Sequence, residues 1–194
     1  VHIPKTGGSC ITSYLRAKGP LALYSRERVE WSKTTPQHME AATQRMILPD
    51  GFCDHRFCIL RDPFERLLSE YRYRATRKNS IEALPKHVGP VDTLTVELDW
   101  GEEFCGTFDA WVEFTGPNVK MFLFEEGLEQ VFRWVDHVTQ TDRAIVPLDR
   151  NSSVKFSIQM LEQTRKSIET FYQEDLRLIQ EIKAARRSAM HVPY

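Results

Sequence analysis

Several familiar signatures are missing from this sequence. No apolar run approaches the ~18 residues that a bilayer-crossing helix needs, so no membrane span is expected. Cysteine is scarce: Cys10, Cys53, Cys58 and Cys105 form no Cys-x-x-Cys pair and no zinc-site spacing, so no metal ligation is expected. A Cys53–Cys58 disulfide is geometrically open, yet Cys58 sits in an apolar run and reads more simply as a small buried hydrophobe in a reduced compartment. Excess charge of one sign is also lacking. The 26 Lys and Arg against 27 Asp and Glu leave a formal net charge of −1, which supplies no global field for nucleic acid or an anionic membrane. Any anion site must therefore be local. No signal peptide, internal repeat or low-complexity segment is visible. The chain opens on Val1 rather than Met, inside what reads as a strand, so it is read as trimmed at its N-terminus; cytoplasmic placement is the expectation for a bacterial source.

What is present is ordinary globular material. With 41% hydrophobic and 27% charged residues over 194 positions, the composition excludes a disordered or fibrous chain and predicts one domain across residues 1–194. The stretch Val1-His2-Ile3-Pro4-Lys5-Thr6-Gly7-Gly8-Ser9-Cys10 reads as a buried strand, a glycine turn and a helix start. Such a junction is suited to phosphate: glycines let the backbone turn, first-turn N–H groups face the anion, and Lys5, Thr6 and Ser9 add charge and hydroxyls. The common phosphate loop, Gly-x-x-x-x-Gly-Lys-Ser/Thr, places its lysine after the glycines, whereas Lys5 precedes Gly7 and Gly8. That order argues against a kinase.

Helical spacing of Ile11, Tyr14 and Leu15 predicts a helix from about Gly8 to Ala17, stopped by Gly19-Pro20. Leu21 to Ser25 is a candidate short strand. Thr34-Thr35-Pro36 predicts an N-cap and a helix to about Leu48, with His38 in its first turn. Phe57-Cys58-Ile59-Leu60 reads as a central parallel strand. Asp62, Pro63 and Glu65 then give a capping pattern for a helix whose buried stripe is Phe64, Leu67, Leu68 and Tyr71. Arg61 at the strand end and Ser69 two turns into that helix can line the same edge as the glycine turn, forming a second anion site. From Lys78 to Glu102 a short helix and a long surface excursion are expected. A helical stripe of Phe104, Phe108, Trp111 and Val112 follows, then a strand at Val119–Phe124, a helix from Gly127 to Val138 and one long helix from about Ser157 to Ala185. Alternating strands and helices imply an α/β domain with a mostly parallel sheet between helical layers.

Together, Ile3-Pro4-Lys5-Thr6-Gly7-Gly8-Ser9 and Leu60-Arg61-Asp62-Pro63-Phe64-Glu65-Arg66-Leu67-Leu68-Ser69-Glu70-Tyr71-Arg72 resemble the paired signature of sulfotransferases that use 3′-phosphoadenosine 5′-phosphosulfate (PAPS). The likeness is nearest to the carbohydrate 2-O-sulfotransferase-like group and its bacterial relatives. The resemblance implies a P-loop-like three-layer α/β/α fold. It also implies sulfuryl transfer from PAPS to an acceptor hydroxyl, on a carbohydrate or glycoconjugate, with no metal required. Lys5, Thr6, Gly7, Gly8, Ser9 and Cys10 would hold the 5′-phosphosulfate end, and Arg61 and Ser69 the 3′ phosphate. Asn151-Ser152-Ser153 with Lys155 looks like the family's cofactor-covering loop, making Ser152 and Lys155 cofactor contacts. Lys5 would serve the leaving phosphate and His38 the acceptor proton, with Glu40, Glu70, His2 and His55 as weaker candidates for the base. The family's acceptor segment before the later strand is short here, at Phe114-Thr115-Gly116-Pro117, which leaves the acceptor open. A nucleotide or metabolite kinase and a non-catalytic nucleotide-binding module are the alternatives. The sequence sets no oligomeric state.

Overall fold

The computed structural model describes residues 2–25, 27, 30, 35–39, 41–75, 87–88, 93–96, 119–145 and 157–190. The chain divides into two compact units, residues 1–61 with 111–151 and residues 62–110 with 152–194.

The first unit is built on α1 (Gly8–Arg16), β1 (Arg56–Leu60), β4 (Val119–Leu123) and α4 (Glu129–Thr139). Strands β1 and β4 pair in parallel, from Arg56 opposite Val119 to Leu60 opposite Leu123. The continuous apolar run of β1 follows from that pairing, because a parallel strand is covered on both faces; Cys58, Ile59 and Leu60 are all buried. Ile11 and Tyr14 of α1, Ile59 of β1, Phe122 of β4, and Val131, Phe132 and Val135 of α4 form one core. Tyr14 stacks on Phe132 with ring centroids 4.2 Å apart. Its hydroxyl donates to Asp136, which also pairs with Lys18 at 2.7 Å. An amphipathic ring thus joins α1 to α4 through both an apolar face and a polar tip. Burial opposes it, but hydrogen bonds from Lys18 and Tyr14 hold the Asp136 carboxyl below its usual range.

The second unit holds α3 (Pro63–Ala75), β2 (His87–Val88), β3 (Thr93–Val96), β5 (Ser157–Met160), α5 (Glu162–Phe171) and α6 (Gln173–Met190). Its sheet runs β2-β3-β5, antiparallel in the first pair and parallel in the second. Asp62 caps α3 as its sequence pattern predicts, accepting from the N–H groups of Phe64 at 3.0 Å and Glu65 at 3.2 Å. The second turn of α3 buries Arg66 almost completely. Burial pulls its guanidinium down to about 10, opposed by the neighbouring Tyr172, Asp175 and Glu70. Mostly parallel strands with intervening helices place the protein in the α/β class.

Three sequence expectations are corrected. His2 and Ile3 form no strand. Pro4 has no N–H for a ladder, and the Ile3 carbonyl accepts from Thr6 Oγ1 at 2.8 Å, so both backbone groups that a strand would use are withdrawn. Leu21–Ser25 forms no strand either. The long C-terminal helix is instead β5 followed by two helices. Ser157-Ile158-Gln159-Met160 alternates in period two and pairs with β3, and Tyr172, at φ −102° and ψ 24°, departs from helical geometry between α5 and α6. The predicted helix around Phe104–Val112 lies outside the described residues.

Candidate functional site

The turn before α1 is shaped by two residues with left-handed backbone. Lys5 has φ 64° and Gly7 φ 81°. The first costs a side-chain-bearing residue about 1–2 kcal/mol, so the surroundings must hold it in place. Part of that hold comes from Arg61. Its Nη1 donates to the Lys5 carbonyl at 3.0 Å, and its guanidinium lies 4.6 Å from the centroid of the Phe124 ring. A planar fork that both donates and stacks is a property of arginine that lysine lacks.

The two glycines are required for different reasons. Gly7 supplies the positive φ, and a Cβ there would also press on Leu128 Cδ1 and Phe124 Cε2, each at 3.0 Å. Gly8 opens α1, and a Cβ on it would lie 1.4 Å from His2 Nε2. The imidazole of His2 occupies that space. No side chain caps α1, and the first-turn N–H groups have no intrahelical acceptor, which suits an anion at this end. Thr6 is buried with its hydroxyl turned to the Ile3 carbonyl, so it stabilises the turn. Ser9 and Cys10 sit half-buried in the first turn of α1. Cys10, Cys53 and Cys58 are in no disulfide.

His38 reaches this site by a different backbone route from the expected one. Pro36–His38 is a single 3-10 turn, Met39 is extended at φ −61° and ψ 130°, and α2 spans only Ala41–Ile47. Pro36 does begin the short turn, but Thr35 makes no side-chain cap to hold a longer helix, so the predicted helix is interrupted at Met39. His38 therefore does not lie in the first turn of a longer helix. His38 Nδ1 lies 2.9 Å from the carbonyl oxygen of His2. A carbonyl only accepts, so Nδ1 carries the proton and the lone pair of the neutral ring is left on Nε2.

The rings of His2 and His38 are 4.5 Å apart at a 56° tilt. Gln37 Nε2 donates to His2 Nδ1 at 3.0 Å. His2, Thr6, Gly8, Ile11 and Thr12 line one pocket with Phe57 and Ile59 of β1. The sequence ranked His2 low because strand alternation left its direction open; contact with Gly8 and His38 is a tertiary fact.

Among the other sequence-derived candidates, Ser69 is half-buried on α3 in the second unit. Glu70, also there, is buried and interacts electrostatically with Arg66. His55 is exposed, its ring centroid 6.0 Å from that of Trp134. Glu40, Ser152 and Lys155 lie outside the described residues.

The sequence matches the family model described as the sulfotransferase family over residues 1–173. No curated protein and no solved structure matches it. That span takes in both sequence motifs and most of each compact unit. The chain belongs to the sulfotransferase family and is a transferase.

Proposed function

We propose that this sulfotransferase moves a sulfuryl group from PAPS to a hydroxyl of a carbohydrate or glycoconjugate by in-line displacement. The observation that carries the reading is the junction of the two motifs: Arg61 binds the Lys5 carbonyl and so fixes the turn that leads into α1. Family membership supports sulfuryl transfer, and the resemblance to the carbohydrate 2-O-sulfotransferase-like group supports the acceptor class.

In this mechanism the first turn of α1 receives the 5′ phosphate through backbone N–H groups and the hydroxyl of Ser9, with Cys10 beside it. The Lys5 ammonium neutralises the charge that grows on the bridging oxygen as the S–O bond to the 5′ phosphate breaks. That interaction is stronger in the transition state than in the ground state. The acceptor oxygen forms the new S–O bond while its proton passes to Nε2 of His38. The products are the sulfated acceptor and 3′-phosphoadenosine 5′-phosphate. Arg61, Ser69, Ser152 and Lys155 are the further donor contacts that the family resemblance implies. Positioning and electrostatics carry the chemistry, as in phosphoryl transfer.

Calorimetry of the full chain with 3′-phosphoadenosine 5′-phosphate and, separately, with ATP and magnesium tests the donor. The bisphosphate is expected to bind and ATP not to; binding of ATP alone would make the protein a kinase. Screening sugar, tyrosyl-peptide and phenol acceptors with radiolabelled donor then tests the acceptor. Transfer to none of them, with the bisphosphate still bound, would leave a non-catalytic nucleotide-binding module.

A further inference from the structure

Three contacts converge on His2, a residue that the proposed mechanism does not use. Its Nδ1 accepts from Gln37 Nε2 at 3.0 Å, its backbone carbonyl accepts from His38 Nδ1 at 2.9 Å, and its ring fills the space where Gly8 would carry a Cβ. The amide of Gln37 can only donate through nitrogen, so the neutral His2 ring carries its proton on Nε2, the atom set against Gly8. Gln37 and His38 are adjacent on one 3-10 turn. That turn therefore grips His2 twice, through the ring and through the backbone, while the Nε2 edge of the ring lies against Gly8, the first residue of α1.

We propose that His2 is a positioning residue: held by Gln37 and seated on Gly8, it registers the His38 imidazole against the anion-binding turn and keeps the basic lone pair of His38 on Nε2. The proposal rests on the role given to His38 above. Its physical logic is geometric. A ring that stands between the turn and the base transmits any shift of one to the other, and a displacement of about 1 Å in a reacting group costs roughly 10²-fold in rate. The arrangement also explains Gly8 without recourse to φ. Any side chain there would expel the His2 ring and so break its bond to Gln37.

The test uses the full chain with ¹⁵N-labelled histidine. In the wild type, His38 is expected as a single tautomer protonated on Nδ1, with well-separated nitrogen shifts. In Gln37→Ala and in His2→Ala those shifts move toward each other as the tautomers mix. Gln37→Glu replaces the donor by an acceptor and is expected to place a proton on His2 Nδ1, a spectroscopic change that a purely packing role would not produce. Gly8→Ala and His2→Ala combined should destabilise less than the sum of the two single variants, because removing the ring makes room for the new methyl. Turnover of Gln37→Ala, with an acceptor from the screen, is expected to fall roughly 10²-fold at unchanged affinity for 3′-phosphoadenosine 5′-phosphate. Unchanged His38 tautomer in both alanine variants, or strictly additive costs at Gly8 and His2, would overturn the proposal. Separate calorimetry on the wild type keeps the two readings apart. If it fails to bind the bisphosphate while the His38 shifts respond as expected, the donor assignment falls and the His2 link stands.

Discussion

Arg61 Nη1 donates to the carbonyl oxygen of Lys5 at 3.0 Å, joining the end of β1 to a residue with φ 64°. The contact turns two sequence motifs 56 positions apart into one local structure. It also shows that Arg61 shapes the lysine turn directly, in addition to any anion that the guanidinium meets through its remaining donors.

Lys5 carries two separable effects. Lys5→Ala removes the ammonium and keeps the strained backbone, so turnover is expected to fall by ~10²–10³ with little change in stability. Lys5→Gly also removes the charge but relieves the left-handed conformation, and is expected to raise stability by about 1 kcal/mol. Denaturant titration of both variants alongside a transfer assay checks this. An active Lys5→Ala enzyme would remove the role assigned to the lysine.

Arg61→Lys retains the charge and loses both the planar fork and the stack on Phe124. With the Lys5 carbonyl no longer held as firmly, binding of 3′-phosphoadenosine 5′-phosphate should weaken about tenfold or more, an energy on the scale of one hydrogen bond to a charged group. Calorimetry measures it directly, and equal affinity in the two proteins would contradict a turn-fixing role.

His38→Asn separates the structural from the chemical use of the ring. The asparagine amide can donate to the His2 carbonyl in place of Nδ1, but it offers no basic nitrogen. Turnover is expected to drop by ~10²–10⁴ while the melting temperature holds. Near-normal turnover would mean that another group takes the proton.

Cys58 sets an alkaline limit. Burial in β1 pushes its thiol up to about 11, from the ordinary 9.0. The folded state then keeps a proton that the unfolded state loses, so the contribution is full below about pH 9 and is lost as pH rises through about 11. Stability measured by denaturant between pH 8 and pH 11 should decline in that window. The Cys58→Ala variant should lack this component of the decline, and an identical pH dependence in both proteins would refute the assignment.

The sequence by itself determined what is encoded locally. Pro63 after Asp62 marks the start of α3 because a carboxylate and a proline act within one turn. The apolar run of β1 and the stripe of α4 were legible because burial imposes its period on neighbouring positions. The glycine turn before α1 was legible too, and Gly7 takes the positive φ that such a turn needs. Tertiary structure decided the rest. The strand at Ser157–Met160 and the turn at His38 depend on partners distant in sequence: β3 for the first and the His2 carbonyl for the second. Most of all, only the folded chain could bring His2 against Gly8 and under His38. Strand alternation offers a side chain two faces, and the long-range contacts that choose between them have no local periodicity to betray them.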